Sequence, residues 1–341
     1  MLKQSSVAGM CWRAAVCLLA TTLVSGALWA QSEPQAKDDQ SESSVGTMKV
    51  QVDVVNVFFN VKDKKGLLIP NLKKEDFEIS EDGKPQTIKY FAAETDQPLT
   101  MGILVDTSPS QTRVLPMEQE VGAAFLDQVL RKKDLAFLIG FDADVDLLQD
   151  FTNNVRELRT ALNKTHIGGG GSPGGGVPGI GQGPIPNRDP CCTHLYDAVY
   201  LAAKDRLGSE VGRKAMIILT DGEDEGSKVR PREAIEAAQK ADAMVYVLLI
   251  ADRGFYAGLY GGDREMKTLA EETGGRVIEV GNKMEKLKQA FDQISAELRS
   301  QYNIGYMPTN TAHDGSYRKI EVRPKGGYKV QARRGYYAPA R

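Results

Sequence analysis

Four oxygen-bearing side chains stand at the ends of two apolar runs, where a hard cation could be held. Asp106, Ser108 and Ser110 follow one another at two-residue spacing, directly after the apolar run Leu99-Thr100-Met101-Gly102-Ile103-Leu104-Val105. Asp221 closes a second run, Ala215-Met216-Ile217-Ile218-Leu219-Thr220, and Gly222 follows it. Carboxylate and hydroxyl oxygens are the donors that Mg²⁺ and Ca²⁺ select. Both apolar runs read as buried parallel strands, and open α/β sheets bind ligands at the carboxyl ends of such strands. Taken singly, Asp106 and Asp221 read as caps on the helices that follow their strands. Asp106 with Ser108 and Ser110 at two-residue spacing, echoed by Asp221 after a second apolar run, is what points to a metal site.

Alternating strand and helix patterns position these residues. After the strand ending at Asp106, a helix is predicted over 115–131, with Val121, Ala124, Phe125, Val129 and Leu130 at helical spacing. A buried strand follows over 135–141. It turns at Asp142-Ala143-Asp144 into 145–148, an antiparallel edge on an otherwise parallel sheet. Helices are predicted near 155–163, 232–241, 265–273 and 283–300, and strands over 244–250 and 276–280. The fold class is therefore α/β, a doubly wound, mostly parallel Rossmann-like sheet spanning 97–300. Residues 168–190 interrupt it with a segment dominated by Gly and Pro, a length of loop that is either functional or disordered.

Both flanks of this domain switch to period two. Val55, Val57, Phe59 and Val61 alternate, and Phe77–Ser80 and Gln86–Phe91 flank Asp82-Gly83, a hairpin signal. Tyr302, Ile304 and Tyr306, then 317–323 and 328–333, alternate in the tail. Neither the 47–96 segment nor the 301–341 segment is large enough for its own core, so the two are predicted to form one β-sandwich beside the α/β domain.

The chain has 341 residues, 26% of them charged, a net charge of −2 and 41% hydrophobic residues. That balance gives no basic face for nucleic acid. Residues 1–30 combine Lys3 and Arg13 with an apolar run ending in small residues, the pattern of a secretory signal peptide cleaved after Ala30 or Ala27. The competing reading is an uncleaved membrane anchor. Residues 31–46 have almost nothing to bury and read as a flexible linker. Beyond the signal segment the cysteines are Cys191 and Cys192, adjacent in sequence; they are two reduced thiols on a loop or a strained vicinal disulfide.

Asp-x-Ser-x-Ser at 106–110, Thr193 in Thr-His-Leu-Tyr-Asp-Ala, Thr220-Asp221-Gly222 and Leu269-Ala270-Glu271-Glu272-Thr273-Gly274-Gly275 resemble the von Willebrand factor type A (VWFA) domain. The resemblance covers 97–300. It implies a metal-ion-dependent adhesion site (MIDAS) in which Asp106, Ser108, Ser110, Thr193 and Asp221 hold Mg²⁺, with Mn²⁺ or Ca²⁺ as substitutes. Two departures are Pro109, where glycine is common, and the long insertion before Thr193. In the flanks, Gln301-Tyr302-Asn303-Ile304-Gly305-Tyr306, Tyr317–Val322 and Arg334-Gly335-Tyr336-Tyr337 resemble the exported Acidobacterial VWFA-related family.

The physics of such a site favours binding over catalysis. Mg²⁺ takes octahedral oxygen coordination at about 2.0–2.1 Å and keeps several waters. Three hydroxyls are neutral, and if the carboxylates act mainly through water the ion stays under-neutralised. It then accepts an acidic side chain from a protein partner as its sixth ligand. The expected protein is an exported, periplasmic or secreted, non-enzymatic adhesion or binding protein with no small-molecule cofactor, touching a membrane only if residues 1–30 stay attached. The alternatives are a structural component of an envelope assembly and, more remotely, a metal-dependent hydrolase of phosphate esters, for which no general base stands beside the cluster.

Other patterns carry less. Gly170-Gly171-Ser172-Pro173-Gly174 spells a nucleophile elbow without the strand and helix it needs. Gly179–Gly183 lacks the setting of a dinucleotide fingerprint. Asp142, Asp144 and Asp146 open like an EF-hand loop, but Leu147 and Asn153 occupy its glycine and glutamate positions. His166, His194 and His313 are isolated and build no zinc site. Asp221–Glu225 reads as an exposed acidic loop whose Glu223 or Asp224 could reach the rim of the ion.

Overall fold

Six strands, β-rich flanks and six helices follow one another in the order the hydrophobic periods suggest, in a computed structural model that describes residues 54–93, 97–168, 192–250 and 262–340. The signal segment, the linker, the start of the 47–96 segment, Cys191 and all but Gly168 of the Gly/Pro-rich insertion lie outside the described residues. In chain order the strands are β1 (Val55–Lys62), β2 (Phe77–Glu81), β3 (Lys84–Gln86), β4 (Ile88–Ala93), β5 (Leu99–Asp106), β6 (Leu135–Phe141), β7 (Val145–Thr152), β8 (Arg213–Thr220), β9 (Ala243–Leu249), β10 (Arg276–Glu279), β11 (Tyr302–Tyr306), β12 (Tyr317–Pro324), β13 (Lys329–Ala332) and β14 (Gly335–Tyr337). The helices are α1 (Leu115–Val129), α2 (Val155–Lys164), α3 (Leu195–Leu201), α4 (Pro231–Lys240), α5 (Gly262–Thr273) and α6 (Met284–Arg299).

The central sheet has the order β10-β9-β8-β5-β6-β7, parallel throughout except for the antiparallel β6–β7 edge. All eight residues of β5 are buried, as expected of a strand covered on both faces. Leu99, Met101, Ile103 and Val105 point to a core shared with α1, α2 and α6, while Leu104 points to the core built with α3, α4 and α5. The chain leaves β5 toward β6 and later returns on its other side as β8. That reversal makes the carboxyl ends of β5 and β8 the switch point, where an open sheet has a crevice.

The flanks form two antiparallel four-stranded sheets, β13-β1-β11-β4 and β14-β12-β2-β3. They share one core of Val57, Phe59, Phe77, Ile79, Tyr302, Ile304, Ile320 and their neighbours, so N- and C-terminal segments together build the sandwich. The predicted hairpin forms through Asp82 and Gly83, both at positive φ (47° and 77°), a backbone that Asp-Gly tolerates well. Its second arm departs from expectation. Residues 84–86 pair with β2, but Ile88–Ala93 cross over and pair with β11 in the opposite sheet.

Candidate metal centre

At the end of β5 the chain enters a short 3₁₀ turn, Pro109–Arg113, before α1 begins. Pro109 is the first residue of that turn, where its fixed φ is already suitable and its missing N–H goes unneeded. The departure from glycine is thus absorbed without disturbing the serines. The Ser108 N–H donates to Asp106 Oδ1 at 2.9 Å, and the Ser108 and Ser110 hydroxyls lie 2.9 Å apart. From β8, the Thr220 hydroxyl donates to Asp106 Oδ2 at 2.7 Å, and the Gly222 N–H donates back to Thr220 Oγ1 at 3.1 Å. Gly222 sits at φ 89°, a left-handed backbone that its lack of Cβ permits. Asp221 accepts from the Glu223 N–H at 3.2 Å and is only partly buried.

Thr193 reaches the same end of the sheet by its backbone. It exchanges both hydrogen bonds, each 3.0 Å, with Glu225 in the loop after β8, while the next residue, His194, donates its N–H to the Asp142 carbonyl after β6. Asp106, Ser108 and Ser110 are therefore joined directly, Asp221 acts on Asp106 electrostatically, and Thr193 is brought alongside by the loops. Asp224 turns away to the start of α3, accepting from the Ser227 hydroxyl and from the Tyr196 N–H at 3.2 Å. Its Oδ1 is engaged at the first turn of that helix. Asp142 accepts from the Asp144 N–H at 3.0 Å, a turn of its own making.

Electrostatics sets this cluster apart. Asp106 is 0% exposed. Burial, then the charge of Asp221, push its carboxyl up to about 7, against the pull of the hydrogen bonds from Ser108 and Thr220. Glu118, in the first turn of α1, is also 0% exposed. Burial, then the charges of Asp106 and Asp221, push it up to about 8. Neither oxygen of Glu118 has a hydrogen-bond partner among the described residues, nor does the buried Oε1 of Gln111, whose amide approaches the Ser110 hydroxyl at 3.5 Å. Buried carboxylates without a counter-charge are expensive, and a cation offsets that expense. Among the described residues, no three His, Cys, Asp or Glu side chains converge closely enough to hold an ion by themselves. An ion here must draw on hydroxyl oxygens, and the donor set is of the kind a hard divalent cation accepts.

Glu118, Gln111 and Thr220 were not singled out by spacing. Glu118 carried a signal nonetheless. It lies on the buried stripe of α1 with Leu115, Val121, Gly122, Phe125 and Val129, where an acid is out of place.

Strand order, antiparallel edge and an oxygen cluster at the switch point define the central domain as an α/β Rossmann-like sheet flanked by antiparallel sheets. No family model matches the chain, and no curated protein does. Solved structures do. The conserved hypothetical protein BatB from Bacteroides thetaiotaomicron is 19% identical over 58% of this chain and 98% of its own, with a TM-score of 0.43. The SpRpn10 VWA domain is 11% identical over 58% of this chain and 95% of its own, with a TM-score of 0.39. Proximal thread matrix protein 1 from the mussel byssus, with a zinc-occupied MIDAS motif, is 14% identical over 63% of this chain and 48% of its own, with a TM-score of 0.45.

Proposed function

We propose that this chain is an exported, non-enzymatic binding protein that engages a protein partner through a divalent cation at the ends of β5 and β8. Asp106, Ser108, Ser110, Thr193 and Asp221 would hold the ion, Mg²⁺ in the first instance. When bound, the cation supplies a positive charge that an acidic side chain of the partner can ligate. The protein's own residues do the rest. Ser108 and Thr220 fix both oxygens of Asp106, the 3₁₀ turn presents Ser110 to solvent, and Gly222 lets the chain turn sharply after Asp221.

The observation that carries the reading is a fully buried Asp106 beside Asp221, its two carboxylate oxygens held by the Ser108 N–H and the Thr220 hydroxyl. Export rests on the composition of residues 1–30; among the described residues no helix is long and apolar enough to cross a membrane. Isothermal titration with Mg²⁺ tests the site. Wild type should give a saturable isotherm and Asp106→Ala none, with unchanged circular dichroism. Equal heats from the two would overturn it. Capture of an envelope protein in Mg²⁺ that is lost in EDTA and in Asp106→Ala tests the partner half.

A further inference from the structure

The five residues above leave one feature of the site without a role, the carboxylate of Glu118. Its neighbours show why that is unusual. Asp134, equally buried, accepts N–H donors from Leu99 and Arg131. Glu81 and Glu297 each meet a basic side chain. Glu118 has none of these, and the charges that act on it are those of Asp106 and Asp221. Gln111 supplies a second unpartnered buried oxygen on the same turn as Ser110. A carboxylate and an amide oxygen, both buried and both without a partner among the described residues, thus stand on the two turns that follow Ser108, Gln111 in the 3₁₀ turn and Glu118 in the first turn of α1, while Ser110 is exposed and Asp221 partly exposed.

We infer that Glu118 is the inner counter-charge of the cation site, a positioning residue that raises affinity for the ion from the buried side without being one of its direct donors. Resting on the proposed cation reading, this names what holds the ion in the absence of a partner. Direct ligation by Glu118 together with Asp106 and Asp221 is not the arrangement, because among the described residues no three acidic side chains are close enough to grip an ion by themselves. Outer groups that orient ligands and add charge typically change metal affinity by about 10–100-fold. Placed on the buried side, the charge of Glu118 strengthens the hold on the ion while leaving the solvent side to an incoming acid. It also favours divalent over monovalent ions, since attraction to a fixed negative charge scales with ion charge.

The neutral isostere Glu118→Gln, in the full chain, tests this with metal alone as probe. Titrating Mg²⁺ or Mn²⁺ at pH 8 should show affinity falling by about tenfold or more, while the melting temperature in EDTA stays level or rises, because a repulsive charge has gone. A merely structural glutamate would lower the melting temperature and leave the isotherm alone, and that pair of results would overturn the inference. Wild-type affinity in Glu118→Gln would overturn it while leaving the five-residue site standing. No binding by wild type would remove both. Glu118→Met provides the same readings if the amide is not accommodated.

Discussion

Glu81 and Glu297 lie in the β-sandwich and at its seam with the α/β domain, while Asp106 ends β5 and Glu118 lies in the first turn of α1, the helix that follows it; all four are at most 2% exposed. Glu81 accepts from the Tyr306 and Tyr336 hydroxyls at 2.7 and 2.9 Å, with the Arg318 guanidinium 3.6 Å away. Glu297, on α6, meets Lys62 of β1 at 2.8 Å and Arg276 of β10 at 2.9 Å, and accepts from Gln331 of β13 at 3.3 Å. Asp106 has a backbone N–H and a threonine hydroxyl, and Glu118 has no hydrogen bond; neither pairs with a basic side chain among the described residues. Where a carboxylate ties strands and helices together, the chain supplies the base. At the strand ends it supplies groups that orient a carboxylate without neutralising it, and charge balance is left to a proton or a cation from solution.

The comparison breaks most visibly at Arg318. This guanidinium is 2% exposed, donates to the Asn310 and Ala312 carbonyls and faces Glu81. Arg318→Ala strands a buried glutamate, and removing one partner of such a pair typically destabilises by about 3–5 kcal/mol. Thermal or urea unfolding should show that loss equally in Mg²⁺ and in EDTA. A loss that depends on metal would mean that the two regions are not independent.

Asp106→Asn should behave in the opposite manner. Cation affinity should fall by at least about 10–100-fold, the change typical of an outer group, since a buried charge is lost from the proposed site. Stability in EDTA should stay level or rise as repulsion with Asp221 is relieved. Differential scanning calorimetry with and without Mg²⁺ reads both. A large loss in EDTA would place Asp106 among the structural carboxylates instead.

The pH dependence separates the regions by sign. In the unfolded chain Asp and Glu titrate near about 4. In the metal-free fold Asp106 and Glu118 hold their protons to about 7 and about 8. The native state therefore binds more protons than the unfolded state between these limits. This contribution is fully present below about pH 4 and is lost as pH rises through 7 and 8. Melting temperature in EDTA should decline from pH 5 to pH 8, and saturating Mg²⁺, which favours the ionised forms, should flatten the decline. The gain from Mg²⁺ should thus grow with pH. A gain that shrinks with pH would contradict a carboxylate site.

What could be read from the chain beforehand followed physical range. β5 and β8 declare themselves by apolar runs, and β6–β7 by a polar turn between an apolar run and a mixed, half-exposed edge, all local signals. The sandwich followed from segments that could not bury themselves alone. The sheet change at Thr87 was illegible, because 84–91 alternates like one strand and only the distant β11 decides that 88–93 leaves β2. The π-helical stretch Ala202–Arg206 after α3 likewise has no local sequence mark. At the candidate site, Asp106 and the Thr220-Asp221-Gly222 step were legible because they end apolar strands. Glu118 was hidden inside an otherwise apolar helix stripe, its meaning set by Asp106 and Asp221 across the fold.

The smallest predicted effect sits on the same strand as the largest. Arg323 on β12, five positions beyond Arg318, forks onto Glu321 with two contacts of 2.9 Å, better geometry than Arg318 makes with Glu81. Its side chain is 68% exposed and that of Glu321 47%. Water solvates both charges whether or not they touch, so the pair gains little by forming. Arg323→Ala should leave the melting temperature within replicate scatter at moderate salt, in Mg²⁺ and in EDTA alike. Were it as damaging as Arg318→Ala, contact geometry would outweigh burial, and the unpartnered state of Glu118 would lose its significance. A null result leaves burial without a counter-charge as the property that marks Asp106 and Glu118.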